Sequence, residues 1–264
     1  MLRLIPTMRL DVFLFEKGYA HSRTFAKSLI SSGKVLVDGK VVTKASFDFG
    51  DSSKLEIAQD VVYVSRGAYK LEGAANTFSV NISGKFCIDI GASSGGFTDY
   101  LLKNGAAHVI AIDSGTNQLA DVLRQDIRVT SIENYNARYM KKADFEYEPD
   151  LAVMDVSFIS ATYIIKPLFD ILKPGADFIC LIKPQFEVGK ALVGKGGIVK
   201  DEYARKLAIN KVVSFAEETG FYTKGVIKSP IEGGDGNTEY LAHFVKSRIL
   251  GGQNEENRHN SKSK

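Results

Sequence analysis

The chain has no tryptophan, only two cysteines and four histidines in 264 residues. Cys87 and Cys180 each sit inside an apolar run. They exclude a disulfide scaffold and read as small core residues. Two cysteines and four scattered histidines give no metal-ligand spacing, so no metal is expected. No stretch approaches the roughly 18 uncharged apolar residues of a membrane span. The first residues, Met1-Leu-Arg-Leu-Ile-Pro6, are charged too soon for a signal peptide. A reducing cytoplasm is the expected compartment. A net charge of +3 excludes a strongly polycationic molecule.

What is present is an ordinary globular composition, 44% hydrophobic and 25% charged. The charge is unevenly placed. Residues 1–54 hold nine Lys and Arg against five Asp and Glu, an excess of +4, whereas the remainder is close to balance. A basic N-terminal module facing nucleic acid is the implied organisation.

That module runs from Met8 to Ile57. Leu10, Phe13 and Leu14 set a helical period that Gly18 would end. Ser22 can cap a second helix carrying Phe25, Ala26, Leu29 and Ile30 on one face, stopped by Gly33. Val35–Val37 and Val41-Val42 read as strands about an Asp38-Gly39 turn. Leu55–Ile57 and Val61–Val64 supply further strand material. Arg9-Leu-Asp11, Ser22-Arg23, Ala26, Leu29-Ile30, Gly33, Val35 and Val37-Asp-Gly39 make this segment resemble the S4 RNA-binding domain. The resemblance implies an RNA face built on the second helix and the hairpin. Arg9, Arg23, Lys27, Lys34, Lys40 and, in the connector, Arg66 are the residues expected to meet phosphates without reading sequence.

A second pattern follows. Apolar strand runs fall at 86–90, 109–112, 129–132, 151–156, 178–182, 222–227 and 240–245. Helical segments fall at 69–75, 97–103, 118–124, 159–172 and 202–219. Alternating strands and helices predict a mostly parallel sheet. The first of these strands, Phe86–Ile90, runs into Gly91-Ala-Ser-Ser-Gly-Gly96 and then a helix. Glycines there let a backbone approach a ligand closely. The spacing departs from the G-x-G-x-x-G of dinucleotide sites. The next strand ends at Asp113, where a carboxylate can accept both hydroxyls of a ribose. The polar turn 133–138 could meet an adenine edge. Gly91, Gly95, Gly96, Phe97 and Asp113 are similar to the cofactor motifs of class I S-adenosylmethionine-dependent methyltransferases. Ala92, Ser93, Asn136 and Asp155 complete the expected cofactor set.

Asp155 and Lys183 emerge at the carboxyl ends of two strands, Glu239 opens the last strand, and Lys70 lies on the helix before the sheet. Open α/β sheets place ligands at that edge. A ribose 2′-hydroxyl is a weak acid, and a lysine that removes its proton is best disposed beside other cations and out of water. Lys183 is the expected base, with Lys70 nearby, Asp155 holding it by the methyl group, and Lys70 and Glu239 positioning the nucleotide. Ser65–Leu71, Gly91–Thr98, Asp155–Ser160, Leu181–Lys190 and Gly236–Tyr240 resemble the haemolysin-A (TlyA) family over nearly the whole chain. That family is similar to FtsJ-type RNA 2′-O-methyltransferases, whose Lys-Asp-Lys-Glu tetrad maps onto Lys70, Asp155, Lys183 and Glu239. The resemblance implies methylation of cytidine in 16S or 23S ribosomal RNA, with ribosomal RNA or subunits as partners.

Two other readings stand beside it. A lytic protein would need a membrane span or a strongly basic amphipathic helix, and the chain offers neither. An inactive RNA-binding adaptor would be expected to lose Lys183 or the Gly95-Gly96 pair. The expected organisation is an α+β S4 domain over 1–60, a connector over 61–69, an α/β methyltransferase domain over 70–248 and a disordered tail over 249–264.

Overall fold

The computed structural model describes residues 7–17, 19–20, 23–50, 53–57 and 63–247. The chain divides into two compact units, Met1–Ala68 and Tyr69–Lys264. Gly18, Ser22, Val61, Val62 and the tail from 249 to 264, on which sequence expectations rested, lie outside the described residues.

The first unit contains β1 (Thr7–Arg9), α1 (Leu10–Glu16), α2 (Arg23–Ser31), β2 (Val35–Val37), β3 (Lys40–Val41), β4 (Asp48–Gly50) and β5 (Leu55–Ile57). The β2–β3 hairpin turns through Asp38 and Gly39, at φ of 52° and 75°. Two successive left-handed residues give the turn whose twist suits a two-residue hairpin. β5 pairs with the other side of β2, and β1 pairs with β4. Leu10, Leu14, Ala26, Leu29 and Ile30 from the helices meet Val35, Val37 and Phe49 in one core. The helix periods are therefore as read from the sequence. The pairing of β1 with β4 is not, because strands this short carry no period. Tyr63 and Val64, expected in a strand, lie in none.

The second unit follows from α3 (Gly67–Phe78), which crosses the boundary. It adds β6 (Phe86–Ile90), α4 (Gly96–Lys103), β7 (His108–Ile112), α5 (Asp121–Arg124), β8 (Val129–Ile132), β9 (Leu151–Met154) and α6 (Thr162–Ile171). It ends with β10 (Asp177–Ile182), α7 (Pro184–Glu187), α8 (Glu202–Thr219), β11 (Phe221–Lys228) and β12 (Tyr240–Lys246). The sheet order is β11-β12-β10-β9-β6-β7-β8, with β12 antiparallel to both neighbours. This is the mostly parallel seven-stranded sheet that the sequence predicts. All four residues of β9 are buried, as expected of a central parallel strand covered on both faces. α8 is capped by Asp201, whose carboxylate accepts from the N–H of Tyr203 and Ala204, and ends at Gly220 with φ 116°. Its buried stripe, Ala204, Ala208, Val212 and Ala216, repeats every fourth residue.

Several boundaries differ from the sequence reading; α3, read as 69–75, runs longer at both ends, and three differences bear on the site. α5 covers only Asp121–Arg124 instead of 118–124, because Asn117 is left-handed and Ala120 extended. α6 starts at Thr162 instead of 159, because Phe158 takes φ 64° and the N–H of Ala161 is held by Glu187. β9 ends at Met154, two residues early, which frees Asp155 to leave the sheet edge.

The turn after β6 is set by a backbone approach. A Cβ on Gly91 would lie 2.4 Å from the carbonyl oxygen of Asp155, and Gly91 has φ 81°. The ends of β6 and β9 can come this close only with glycine there. Gly91→Ala is expected to destabilise the protein by roughly 2–4 kcal/mol, from positive φ and overpacking together. Urea denaturation checks this; a loss under about 1 kcal/mol would contradict the clash.

Candidate active site

A cavity of about 460 Å³ opens at the carboxyl ends of β6, β7 and β9. That volume suits a small-molecule ligand. Ile90, Ile112, Val156 and Ile164 give it apolar walls, and Ser93, Asp113, Asn136 and Asp155 give it polar points. Asp113 has two partners in the backbone: Oδ2 accepts from the N–H of Ser93 at 2.8 Å and Oδ1 from Gly115 at 2.7 Å. The carboxylate thus ties the glycine turn to the end of β7. Asn136 Oδ1 accepts from the N–H of Arg138 at 3.1 Å, which fixes the following short turn.

Of the predicted cofactor residues, Gly91, Ser93, Asp113, Asn136 and Asp155 line the cavity, whereas Ala92, Gly95, Gly96 and Phe97 do not. Gly95 has φ 94°, and a Cβ there would strike Leu123 and Leu119 at 2.2 and 2.7 Å, so this glycine serves close packing of α5. Gly96 opens α4, and Phe97 is buried in the core. Tyr135 and Arg138, from the turn expected to meet an adenine edge, also line the cavity, as do Ser114, Gln118, Ser157 and Phe158, which were not anticipated. Ser157 and Phe158 lie two and three residues past Asp155, a position at the strand end that could have flagged them.

The four predicted reacting residues form two ion pairs. Lys183 Nζ lies 2.5 Å from Asp155 Oδ1 and donates to Ser157 Oγ at 2.8 Å. Lys70 Nζ donates to Glu239 Oε2 at 2.6 Å, with the two side chains 10% and 3% exposed. Each amine meets a carboxylate. Topology explains the assembly. Ile182 faces Tyr240 in the β10–β12 ladder, so Lys183 and Glu239 are the next pair in register at the sheet edge. β9 runs parallel to β10, which delivers Asp155 to the same edge. Among these four, only Asp155 lines the cavity itself; Lys183 reaches it through Asp155 and Ser157.

In β6, one residue before Ile90 of the cavity wall, Asp89 is fully buried. Thr98 Oγ1 donates to its Oδ2 at 2.7 Å, while Oδ1 has no hydrogen-bond partner. Burial pushes this carboxyl up to about 7, helped by the charges of Asp155 and Asp113 and opposed by Thr98.

The sequence reading also missed a buried anchor beside the site. Glu187 Oε2 accepts from Ser160 Oγ at 2.5 Å and from Lys211 Nζ at 3.0 Å, and Oε1 accepts from the N–H of Ala161 at 2.7 Å. A buried carboxylate with three donors is satisfied, and it holds α7, the loop before α6 and α8 together.

In the first unit, Asp11 is fully buried and gathers two arginines. Arg9 Nε donates to Oδ1 at 2.9 Å and Arg23 Nη2 to Oδ2 at 3.0 Å, each guanidinium remaining about half exposed. Lys27, Lys40 and Arg66 are exposed and Lys34 is partly buried.

The Asp89 carboxyl carries a pH signature. Free in an unfolded chain it titrates near 3.9. Between about pH 4 and 7 the unfolded chain has lost this proton and the folded chain keeps it. The stability contributed by the group therefore falls as pH rises through that window and levels off above it. Asp89→Asn, its neutral isostere, is expected to melt roughly 4 °C or more above wild type at pH 8 and to converge with it near pH 4. Parallel melting curves at every pH would contradict the buried neutral carboxyl.

Comparison with known proteins agrees with this geometry. A family model described as FtsJ-like methyltransferase matches residues 63–246, and one described as S4 domain matches residues 8–52. The chain is 45% identical over 239 residues to Hemolysin A of Brachyspira hyodysenteriae, across 90% of this chain and 100% of that one. It is 43% identical over 235 residues to the 16S/23S rRNA (cytidine-2′-O)-methyltransferase TlyA of Mycobacterium tuberculosis, across 88% of each. A solved structure from Streptococcus thermophilus, described as a hemolysin, superposes with a TM-score of 0.71 at 42% identity, covering 92% of this chain and 90% of that one. With the sheet order, the cavity and the paired lysines already in place, these matches make the chain a member of the FtsJ-like methyltransferase family, in its S4-bearing haemolysin-A (TlyA) group.

Proposed function

We propose that this protein transfers the methyl group of S-adenosylmethionine to the ribose 2′-oxygen of a cytidine in ribosomal RNA, in the cytoplasm. The observation that carries the reading is the pair of Lys–carboxylate contacts on the edge of the sheet beside a nucleoside-sized cavity. The relative that names this reaction is similar along most of both chains.

The cavity fits the methyl donor by the chemistry of its lining. Asp113 would accept from the ribose hydroxyls and Asn136 would meet the base, with Ile112 and Tyr135 as apolar walls. Asp155, with one face on the cavity, would lie near the sulfonium charge. S-adenosylmethionine supplies a methyl group already activated for attack by oxygen. The chain's own work is to hold the hydroxyl in line and to take its proton. Lys183 Nζ is fixed from two sides, by Asp155 and Ser157, and would meet the 2′-oxygen along its remaining direction. Lys70 and Glu239 would position the nucleotide from the neighbouring strand end. In the first unit, the half-exposed Arg9 and Arg23 with Lys27, Lys34 and Lys40 supply phosphate contacts, and Arg66 adds one in the connector. The lytic reading draws no support from the helices: among the described residues none is long and apolar enough to cross a membrane.

Lys183→Ala is expected to lower methyl transfer to ribosomal RNA by at least about a hundredfold while S-adenosylmethionine still binds. Tritium transfer with calorimetry checks both, and primer-extension stops at low dNTP locate the ribose methyl. Near-normal turnover by the variant would remove Lys183 from the base role. Separately, Arg23→Ala with Lys27→Ala is expected to weaken RNA binding and to reduce the slope of log affinity against log salt by about 2. An unchanged slope would place the RNA contacts elsewhere.

A further inference from the structure

Between α7 and α8 runs residues 188–200, a segment with Lys190, Lys195 and Lys200 and no acidic residue. All three lysines are exposed, and none is in an ion pair with a described residue. Gly194, Gly196 and Gly197 are exposed as well, so backbone as well as ammonium groups face outward.

This exposed segment is not loosely attached. At one end it leaves the buried Glu187 anchor, and at the other it enters the cap of α8 at Asp201. Its middle is held by Asn237, which is 1% exposed. Asn237 Nδ2 donates to the carbonyl of Gly197 at 2.9 Å, and Oδ1 accepts from the N–H of Val199 at 3.0 Å. Arg205 repeats the connection: Nη1 donates to Thr238 Oγ1 at 3.0 Å and Nη2 to the carbonyl of Lys200 at 2.8 Å. The run Asn237-Thr238-Glu239 thus holds the basic segment with its first two residues and Lys70 with its third. The segment also begins only a few residues after Lys183.

A surface connection needs no such fastening. A buried amide that satisfies two backbone groups of one loop acts like a short sheet pairing, and it fixes where that loop sits. Fastened here are three unneutralised cations and a glycine backbone open to close approach. The chemistry that suits them is a polyanion followed along its chain: lysines act on phosphates as point charges, without reading bases.

We propose that residues 188–200 are a strap that grips the phosphates of the RNA strand flanking the acceptor ribose, and that Asn237 and Arg205 keep this strap in register with Glu239. The inference rests on the RNA-methylating reading above. It adds a second phosphate site, within the methyltransferase unit, and assigns Asn237 as a positioning residue.

The test uses the full-length protein with ribosomal RNA as acceptor and three variants: Lys190→Gln with Lys195→Gln, Asn237→Ala, and all three changes together. The lysine variant is expected to raise KM for RNA roughly tenfold and to reduce the salt slope by about 1.4, two single-strand contacts at about 0.7 each. Its kcat and S-adenosylmethionine affinity should stay within about twofold of wild type. Asn237→Ala is expected to raise KM similarly and to lower kcat, since the Glu239 run loosens with the strap. The combined variant should have the KM of Asn237→Ala alone, because lysines on a released strap no longer contribute. If wild type methylates RNA and the lysine variant keeps its KM and salt slope, the strap is a plain connection and the proposal falls. If the KM effects multiply, the coupling through Asn237 falls. A wild type that transfers no methyl to any RNA would instead overturn the functional reading, and this inference with it. Melting curves and S-adenosylmethionine binding identify an Asn237→Ala protein that fails to fold, in which case the lysine variant decides.

Discussion

The contact between Lys70 and Glu239 governs the geometry of the reacting edge. Both side chains are nearly out of water, and the partners are 169 residues apart in sequence. A buried charge left alone costs about 3–5 kcal/mol, so neither group can leave without the other moving. The pair therefore locks α3 to the start of β12. It also dictates the turn before that strand. A Cβ on Gly233 would lie 2.5 Å from Glu239 Oε1, so the carboxylate occupies space that only glycine leaves open. The sheet register then brings Lys183 opposite Glu239, and β9 brings Asp155 to Lys183.

Around that edge, the site is assembled from carboxylates in three different environments. Glu187 is buried with three donors and acts as an anchor. Asp113 accepts from two backbone N–H groups and closes the glycine turn while one face borders the cavity. Asp89 is buried with Thr98 as its donor residue, and burial raises its proton affinity. Residue type is the same in the last two; their donors and their access to water differ.

Much of the fold was legible because the sheet strands of the second unit are short apolar runs with clear interruptions. Phe86–Ile90 was read to the residue, and α8 likewise, since Asp201 and Gly220 cap it at both ends. The start of α6 was misread because Phe158 takes a left-handed φ that aromatic residues rarely adopt, and only the packing around Glu187 explains it. The four candidate reacting residues were singled out through a family resemblance and their positions at strand ends. An acid beside each lysine was part of that reading; the hydrogen bond from Lys183 to Ser157 was not, because it depends on side-chain reach between strand ends that are distant in sequence. The glycine turn was legible as a motif, yet Gly95 serves packing against Leu119 and Leu123, a distinction that needs coordinates.

Sequence alone determined what depends on local period and local chemistry. The β–α alternation, the Asp38-Gly39 hairpin and the candidate ionisable groups all follow from neighbouring residues. Tertiary structure alone decided which charges meet and which are left facing outward. Lys70 is paired and buried while Lys190 and Lys195 stand unpaired at the surface, although nothing in the adjoining sequence separates them. The physical reason is desolvation: the strength and sign of a charge's contribution depend on how much water the rest of the chain removes from it, and that is a property of the packed whole.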